Sequence, residues 1–232
     1  MQPKKLLKPP FFEIGPKQYL YGDDILHLAK IADEASKKHD VQVIFTTPYA
    51  DIRRVAENTE NLIVFAPHMD AIPIGRGLAD VLPESVRAAG ADGVMLNHIE
   101  KPLPFAVLND TVSRAKALNM LSLIITDSVA EAQAAALLRP DVITAEPAEL
   151  IGTTQMTDTD YIHISIEKIR EINRDVFILI GAGIQNGDDV YQVISEGADA
   201  SGSSSAVACA SDPQALVNEM LAAARAAWDD RH

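Results

Sequence analysis

A single cysteine, Cys209, stands among 232 residues, so no disulfide can form within the chain, which fits a reducing compartment. Positive charge is also scarce. Lys and Arg number 20 against 33 Asp and Glu, a formal net charge of −13. Nucleic-acid binding needs a basic stripe to replace phosphate counterions, so this balance argues against such a partner. A single phosphate group is still within reach of an acidic chain, because a few backbone N–H groups can hold it locally. Long apolar runs are missing as well. The basic start "MQPKKLLKPPFF" has an apolar part that is short and broken by prolines. It reads as neither a signal peptide nor a membrane span, so a cytoplasmic protein without a membrane partner is expected. The histidines, His27, His39, His68, His98, His163 and His232, are scattered without ligand spacing, and neither a metal nor another cofactor is expected.

What is present is a soluble-protein composition, 47% apolar, cut into short β-branched runs. These are "PFFEI" (10–14), "VQVIFT" (41–46), "NLIVFA" (61–66), "DGVMLN" (92–97), "LSLIIT" (121–126), "DVITAE" (141–146), "DVFILIG" (175–181) and "ADASGS" (198–203). Most are continuously apolar, as strands buried on both faces of a parallel sheet are. Helical patterns separate them at 23–40, 106–119, 128–140, 165–174 and 212–228. In the first, Ile25, Leu28, Ala29, Ala32 and Ala35 share one face. Asp212 suits an N-cap and Pro213 the first helical position. Gly-Ala-Asp recurs at 90–92 and 197–199 between a helix and a strand; there Gly ends the helix and Ala packs closely. About eight β–α units without a linker predict one (β/α)8 barrel domain over residues 1–232. A doubly wound open sheet is the alternative, but no G-x-G-x-x-G follows the first strand.

Barrel enzymes carry their chemistry at the C-terminal ends of the strands. Strand one ends before Lys17. Strand four ends at Asn97, His98, Glu100 and Lys101, and strand six at Glu146. Strands seven and eight end in "GAGIQNG" and "GSSSA". Taken singly, Lys17 reads as a surface charge, His98 as a core histidine, Glu146 as half of a salt bridge and the small-residue runs as turns. Taken together they supply a cation, an imidazole, a carboxylate and two phosphate-cradling loops. That set suits enolisation beside a carbonyl, with the carboxylate removing a carbon-bound proton while imidazole and ammonium stabilise the oxygen.

The segments "LPESVRAAGADGVMLNHIEK" (82–101), "AEPAELIGT" (145–153), "LIGAGIQNGDDV" (179–190) and "GADASGSSSAVACASDP" (197–213) resemble triosephosphate isomerase, especially its shorter archaeal-type branch. That family is the type case of a carboxylate base working with a neutral histidine under a closing loop. The resemblance covers nearly the whole chain. It implies an aldose–ketose isomerase of short phosphosugars, placed in glycolysis and gluconeogenesis and assembled as a homo-oligomer, dimer or tetramer. It implies Lys17, His98 and Glu146 as the catalytic set. Ile151 to Thr153 would end a mobile lid with the Gly152 N–H on phosphate; Gly181, Ala182, Gly183, Ser204 and Ser205 would complete the phosphate site. Four positions depart from the family pattern. Gly15 replaces an Asn, Ile99 a Ser beside the histidine, Leu78 and Ala79 a Thr-Gly pair, and Ser204-Ser205-Ala206 a Gly-containing turn. These departures point to a divergent paralogue that keeps enolising chemistry on a tetrose or other short phosphosugar. A non-catalytic phosphosugar sensor and a Schiff-base aldolase on Lys17 are the other readings.

Overall fold

The eight apolar runs become eight strands in the computed structural model, which describes residues 4–147 and 157–232. They are β1 (Phe11–Ile14), β2 (Gln42–Thr46), β3 (Leu62–Ala66), β4 (Gly93–Leu96), β5 (Leu121–Thr126), β6 (Val142–Ala145), β7 (Phe177–Ile180) and β8 (Ala200–Ser203). All pairings are parallel and follow chain order. β8 returns to β1, with Phe11 opposite Ala200 and Ile14 opposite Ser203, so the sheet is a closed barrel and the open-sheet alternative is excluded.

Two-residue alternation divides every strand between two cores. Phe11, Ile44, Ile63, Phe65, Leu123 and Leu179 fill the barrel interior. Phe12, Ile14, Val43, Phe45, Val64 and Ile178 face outward and pack with the helices. The interior is tight where β3 meets β4. Phe65 lies opposite Gly93, and a Cβ on Gly93 would overlap the Phe65 ring.

The helices among the described residues are α1 (Asp23–His39), α2 (Ile52–Asn58), α3 (Pro83–Ala88), α4 (Phe105–Ala117), α5 (Val129–Leu137), α6 (Thr159–Ile172), α7 (Gly187–Ser195), α8 (Ser205–Ala208) and α9 (Pro213–Arg231). None is long and apolar enough to cross a membrane. In α1 the five residues expected on the apolar face are buried, with Asp23 and Asp24 in the first turn and Lys37, Lys38 and His39 in the last, the order that complements the helix dipole. α9 starts as its sequence indicates, Asp212 accepting the Ala215 N–H at 2.9 Å and Pro213 opening the first turn. α6 begins earlier than its apolar spacing suggests. Asp158 caps it by accepting the Asp160 N–H. Thr159 and the β-branched residues that follow are weak helix formers, so the cap and the buried Ile162 set the start.

The Gly-Ala-Asp repeat has a further role that the sequence reading missed. Gly90 and Gly197 turn the chain at φ 110° and 112°, and Ala91 and Ala198 are buried. The aspartates then reach sideways. Asp92 accepts the Val64 N–H at 3.1 Å and Asp199 the Ile178 N–H at 2.8 Å. Each closes a strand end at the bottom of the barrel and pairs with an arginine, Arg87 and Arg170 respectively.

Gly93→Ala forces its methyl into the Phe65 ring, and overpacking of this kind costs about 1–3 kcal/mol. A urea midpoint lower than the parent's is expected, with partial recovery in the Gly93→Ala, Phe65→Leu double variant.

Candidate active site

Positive φ angles on non-glycine residues fall into two groups. Asp40, Asn119 and Arg139 take φ 52°, 54° and 54° just after α1, α4 and α5, ordinary left-handed helix ends. Lys17, Asn97 and Ala182 take φ 49°, 62° and 30°. These three follow β1, β4 and β7 at one mouth of the barrel, and strained backbone of that sort gathers at functional sites.

Asn97 is held on all sides. Its Nδ2 donates to the Ile125 carbonyl and to Glu131 Oε1, both at 2.9 Å, and its Oδ1 accepts the Leu103 N–H at 3.0 Å. The loop after β4 is thereby fixed, and His98 with it. His98 Nδ1 accepts the Glu100 backbone N–H at 3.0 Å. The neutral ring therefore carries its proton on Nε2, leaving that N–H for another acceptor. Burial, and then the nearby Lys17 charge, hold the imidazole below its ordinary proton affinity. Lys17 Nζ reaches across from the first loop to donate to Glu100 Oε1 at 2.9 Å, and this bond keeps the Glu100 carboxyl low.

Glu146 leaves the inner face of β6, two residues beyond Thr144, with Val142 below. Its Oε1 accepts the Ala182 N–H at 3.1 Å. Gly181 lies directly against the carboxyl, where a Cβ would overlap Oε1. Burial raises the proton affinity of Glu146, with the Ala182 N–H and then Lys17 acting in the opposite direction. The salt-bridge reading of Glu146 finds no partner among the described residues.

One cleft at this mouth holds about 600 Å3 of empty space, its opening to solvent included, and is lined by Glu146, Ala182, Gly183, Ser204 and Ser205 among the residues singled out in the sequence. Lys17 and His98 are not in its lining; the Lys17 charge acts on both His98 and Glu146. Ile151, Gly152 and Thr153 lie outside the described residues. The cleft also has Ile184, Gln185, Gly202 and Ser203 in its wall, all within the two small-residue loops expected from the sequence though not named singly there. Ser203 Oγ donates to the Ile184 carbonyl at 3.1 Å and Ser204 Oγ to the Gly15 carbonyl at 2.5 Å. The eighth loop is thus tied to the seventh and the first. On the other side of Glu146, a smaller depression carries Ile99 and Pro102.

The profile of the family described as triosephosphate isomerase matches residues 17–220. A triosephosphate isomerase of Saccharolobus solfataricus is 34% identical over 94% of this chain and 97% of its own length. That of Sulfolobus acidocaldarius is 34% identical over 97% and 99%, and that of Methanocaldococcus jannaschii 30% over 86% and 92%. The chain belongs to the triosephosphate isomerase family. Its similarity to these archaeal members spans the barrel and is not confined to one motif.

One carboxylate in the cleft wall was not among the candidate site residues taken from the sequence. Glu13 lies on β1 between Phe11 and Gly15 on the inner face and is buried. Thr46 Oγ1 donates to its Oε1 at 2.7 Å. Burial pushes the Glu13 carboxyl up to about 8, with the Glu146 charge adding to the rise and Thr46 and Lys17 opposing it. The signal was available: a carboxylate two residues past an inward phenylalanine, inside an apolar run, has to face inward too.

The sign of the pH effect follows. Below its ordinary value of 4.5, Glu13 is protonated in both folded and unfolded chains; between 4.5 and about 8 only the folded chain retains the proton. Stability from this residue is therefore lost as pH rises through that window. Glu13→Gln removes the loss. The melting temperature of the variant relative to the parent is expected to increase from about pH 5 to about pH 8.

Proposed function

We propose that the chain interconverts a short aldose phosphate and the matching ketose phosphate through an enediolate, with triose phosphates as the first substrates to test. The relatives named above are triosephosphate isomerases, and their name supports that choice. The observation that carries the reading is that one mouth of the barrel holds both Glu146, a buried carboxylate of raised proton affinity, and the His98 ring, whose Nδ1 is occupied by a backbone N–H.

Glu146 removes the proton from the carbon beside the carbonyl. The C–H electron pair forms the carbon–carbon double bond, and the carbonyl pair moves onto oxygen. His98 Nε2–H donates to that oxygen, and the Lys17 ammonium adds positive potential. His98 Nε2 then passes that proton to the oxygen and takes one from the hydroxyl on the neighbouring carbon, and return of the proton from Glu146 to the former carbonyl carbon completes the isomerisation with no redox partner. The phosphate rests against the seventh and eighth loops near Gly183 and Ser205, where backbone N–H groups supply hydrogen bonds without mobile cations. The Ser203 and Ser204 hydroxyls, already committed to carbonyls of neighbouring loops, keep those N–H groups in place.

Incubating glyceraldehyde 3-phosphate with the protein in deuterium oxide tests this reading. Deuterium in recovered substrate and in the ketose is expected. Glu146→Gln is expected to lower kcat by about 10²–10⁴-fold with little change in KM. No exchange across phosphosugars of three to six carbons would overturn the proposal. Binding without exchange, unaffected by Glu146→Gln, would point instead to a sensor, and an adduct trapped by borohydride on Lys17 to an aldolase.

The proposal includes self-association through residues 71–80. Ile74 is 74% exposed and Leu78 fully so, apolar surface of the kind a second copy covers. Leu78→Glu is expected to shift the sedimentation coefficient toward the monomer.

A further inference from the structure

Two carboxyl groups, not one, open onto the cleft. Glu146 enters it from β6, and Glu13 enters from β1. The space around Glu13 is kept clear by residues without side chains. A Cβ on Gly15 would stand 2.7 Å from Glu13 Oε1, and one on Gly202 would stand 3.1 Å from Glu13 Cβ and 3.4 Å from Oε2. The carboxyl thus occupies the volume that a side chain at 15 would need, and the neighbouring strand leaves Oε2 uncovered. Thr46 binds only Oε1. An acid proton on this group accordingly belongs on Oε2, the oxygen that no described residue engages.

We propose that Glu13 is a specificity-determining residue which faces the bound phosphosugar from the floor of the cleft and donates a hydrogen bond from its carboxylic acid to a substrate oxygen. The inference rests on the phosphosugar reading given above and adds a contact to that site. Its chemistry follows from the charge of the ligand. A phosphate ester and a developing enediolate are both anionic, so an ionised carboxylate in the same cleft would repel them. A neutral acid instead offers a donor where a cation would have to be desolvated. The charged groups acting on Glu13 are Glu146 from β6 and Lys17 from the loop after β1. β2 presents Thr46, and β8 presents Gly202 and Ser203, none of them charged. Ligand and proton therefore bind Glu13 together, and each strengthens the other. Discrimination follows as well, since a buried donor left unpaired by a substrate lacking the matching oxygen is penalised.

Titration calorimetry with 2-phosphoglycolate, a phosphorylated carboxylate shaped like the enediolate, separates the outcomes. The parent, Glu13→Gln and Glu13→Leu are compared at about pH 6 and about pH 9, on either side of the Glu13 transition, with circular dichroism as the folding check. The amide of Glu13→Gln keeps the shape and an N–H donor at every pH. It is expected to bind within about threefold of the parent at the lower pH and to lack the extra weakening the parent shows at the higher one. Glu13→Leu is expected to bind about tenfold or more weakly at the lower pH. Parent-like affinity in Glu13→Leu would overturn the proposal and leave Glu13 a packing residue. If Glu13→Leu fails to fold, the Gln variant decides: the same fall in affinity with pH as the parent would overturn it. A parent that neither binds the mimic nor exchanges deuterium removes the phosphosugar reading itself, whereas a parent that does both while the variants behave identically removes only Glu13.

Discussion

Taking two carboxyl groups out of water at one end of the barrel is the unfavourable term around which the cleft is arranged. An ionised carboxylate buried without a partner costs several kcal/mol. Glu13 has one hydroxyl donor, from Thr46, and Glu146 one amide donor, from Ala182. The nearest cation, on Lys17, is already bound to Glu100. Desolvation therefore prevails over the compensating bonds at both sites, and both groups hold protons more tightly than usual. A carboxylate shifted in this way is a better proton acceptor near neutral pH than an ordinary glutamate. The glycines at 15, 181 and 202 follow from the same constraint, since each lies where a side chain would press on one of the two carboxyls.

Around those carboxyls the loops are braced by hydroxyl and amide side chains as well as by the Lys17–Glu100 ion pair. Ser203 joins the eighth loop to the seventh, Ser204 joins it to the first, and Asn97 ties the fourth loop to β5 and α5. Each such bond uses a short side chain with little rotamer freedom to lose. The seventh and eighth loops are thus held in place by their own side chains, the condition under which fixed dipoles of the proposed site would stabilise developing charge without reorganising. Serine at 204 and 205 is therefore compatible with a phosphate cradle despite its bulk, because the Ser204 hydroxyl turns away toward Gly15.

Strands were legible almost to the residue because their apolar runs are continuous and end at small or polar residues; β5 coincides with its run at both ends. Helices depending on local capping were harder. The first turn of α6 is polar and β-branched and rests on Asp158, information that apolar spacing does not carry. At the candidate site, position at a strand end singled out Lys17, His98 and Glu146. It could not find Glu13, which sits one inward step below the mouth, where a charged residue is read as a boundary. Nor did spacing distinguish the paired bond of Asn97 from a catalytic role. Side-chain partners decide such questions, and these become visible only when β4, β5 and α5 are assembled.

The charge state of the cleft bears on how a strongly acidic chain would accommodate the proposed anionic substrate. Lys17 is shared with Glu100, and His98 is held neutral by burial and by the Glu100 N–H on Nδ1. No uncommitted cation among these groups is left to draw a phosphate inward. What remains is a set of backbone N–H groups and two carboxyls whose protonation determines the sign of the local field. With Glu13 neutral the floor of the cleft is a donor, and only Glu146 need ionise to act as a base. With both ionised, two like charges would face one cleft; burial above all, with the Glu146 charge adding to it, raises the proton affinity of Glu13 against that state. On the proposed reading, proton occupancy at Glu13 divides the two carboxyls into an acid and a base. Their environments set that division: Glu13 has a hydroxyl on one oxygen and no hydrogen-bond partner among the described residues on the other, while Glu146 lies against the Ala182 amide at the start of the seventh loop.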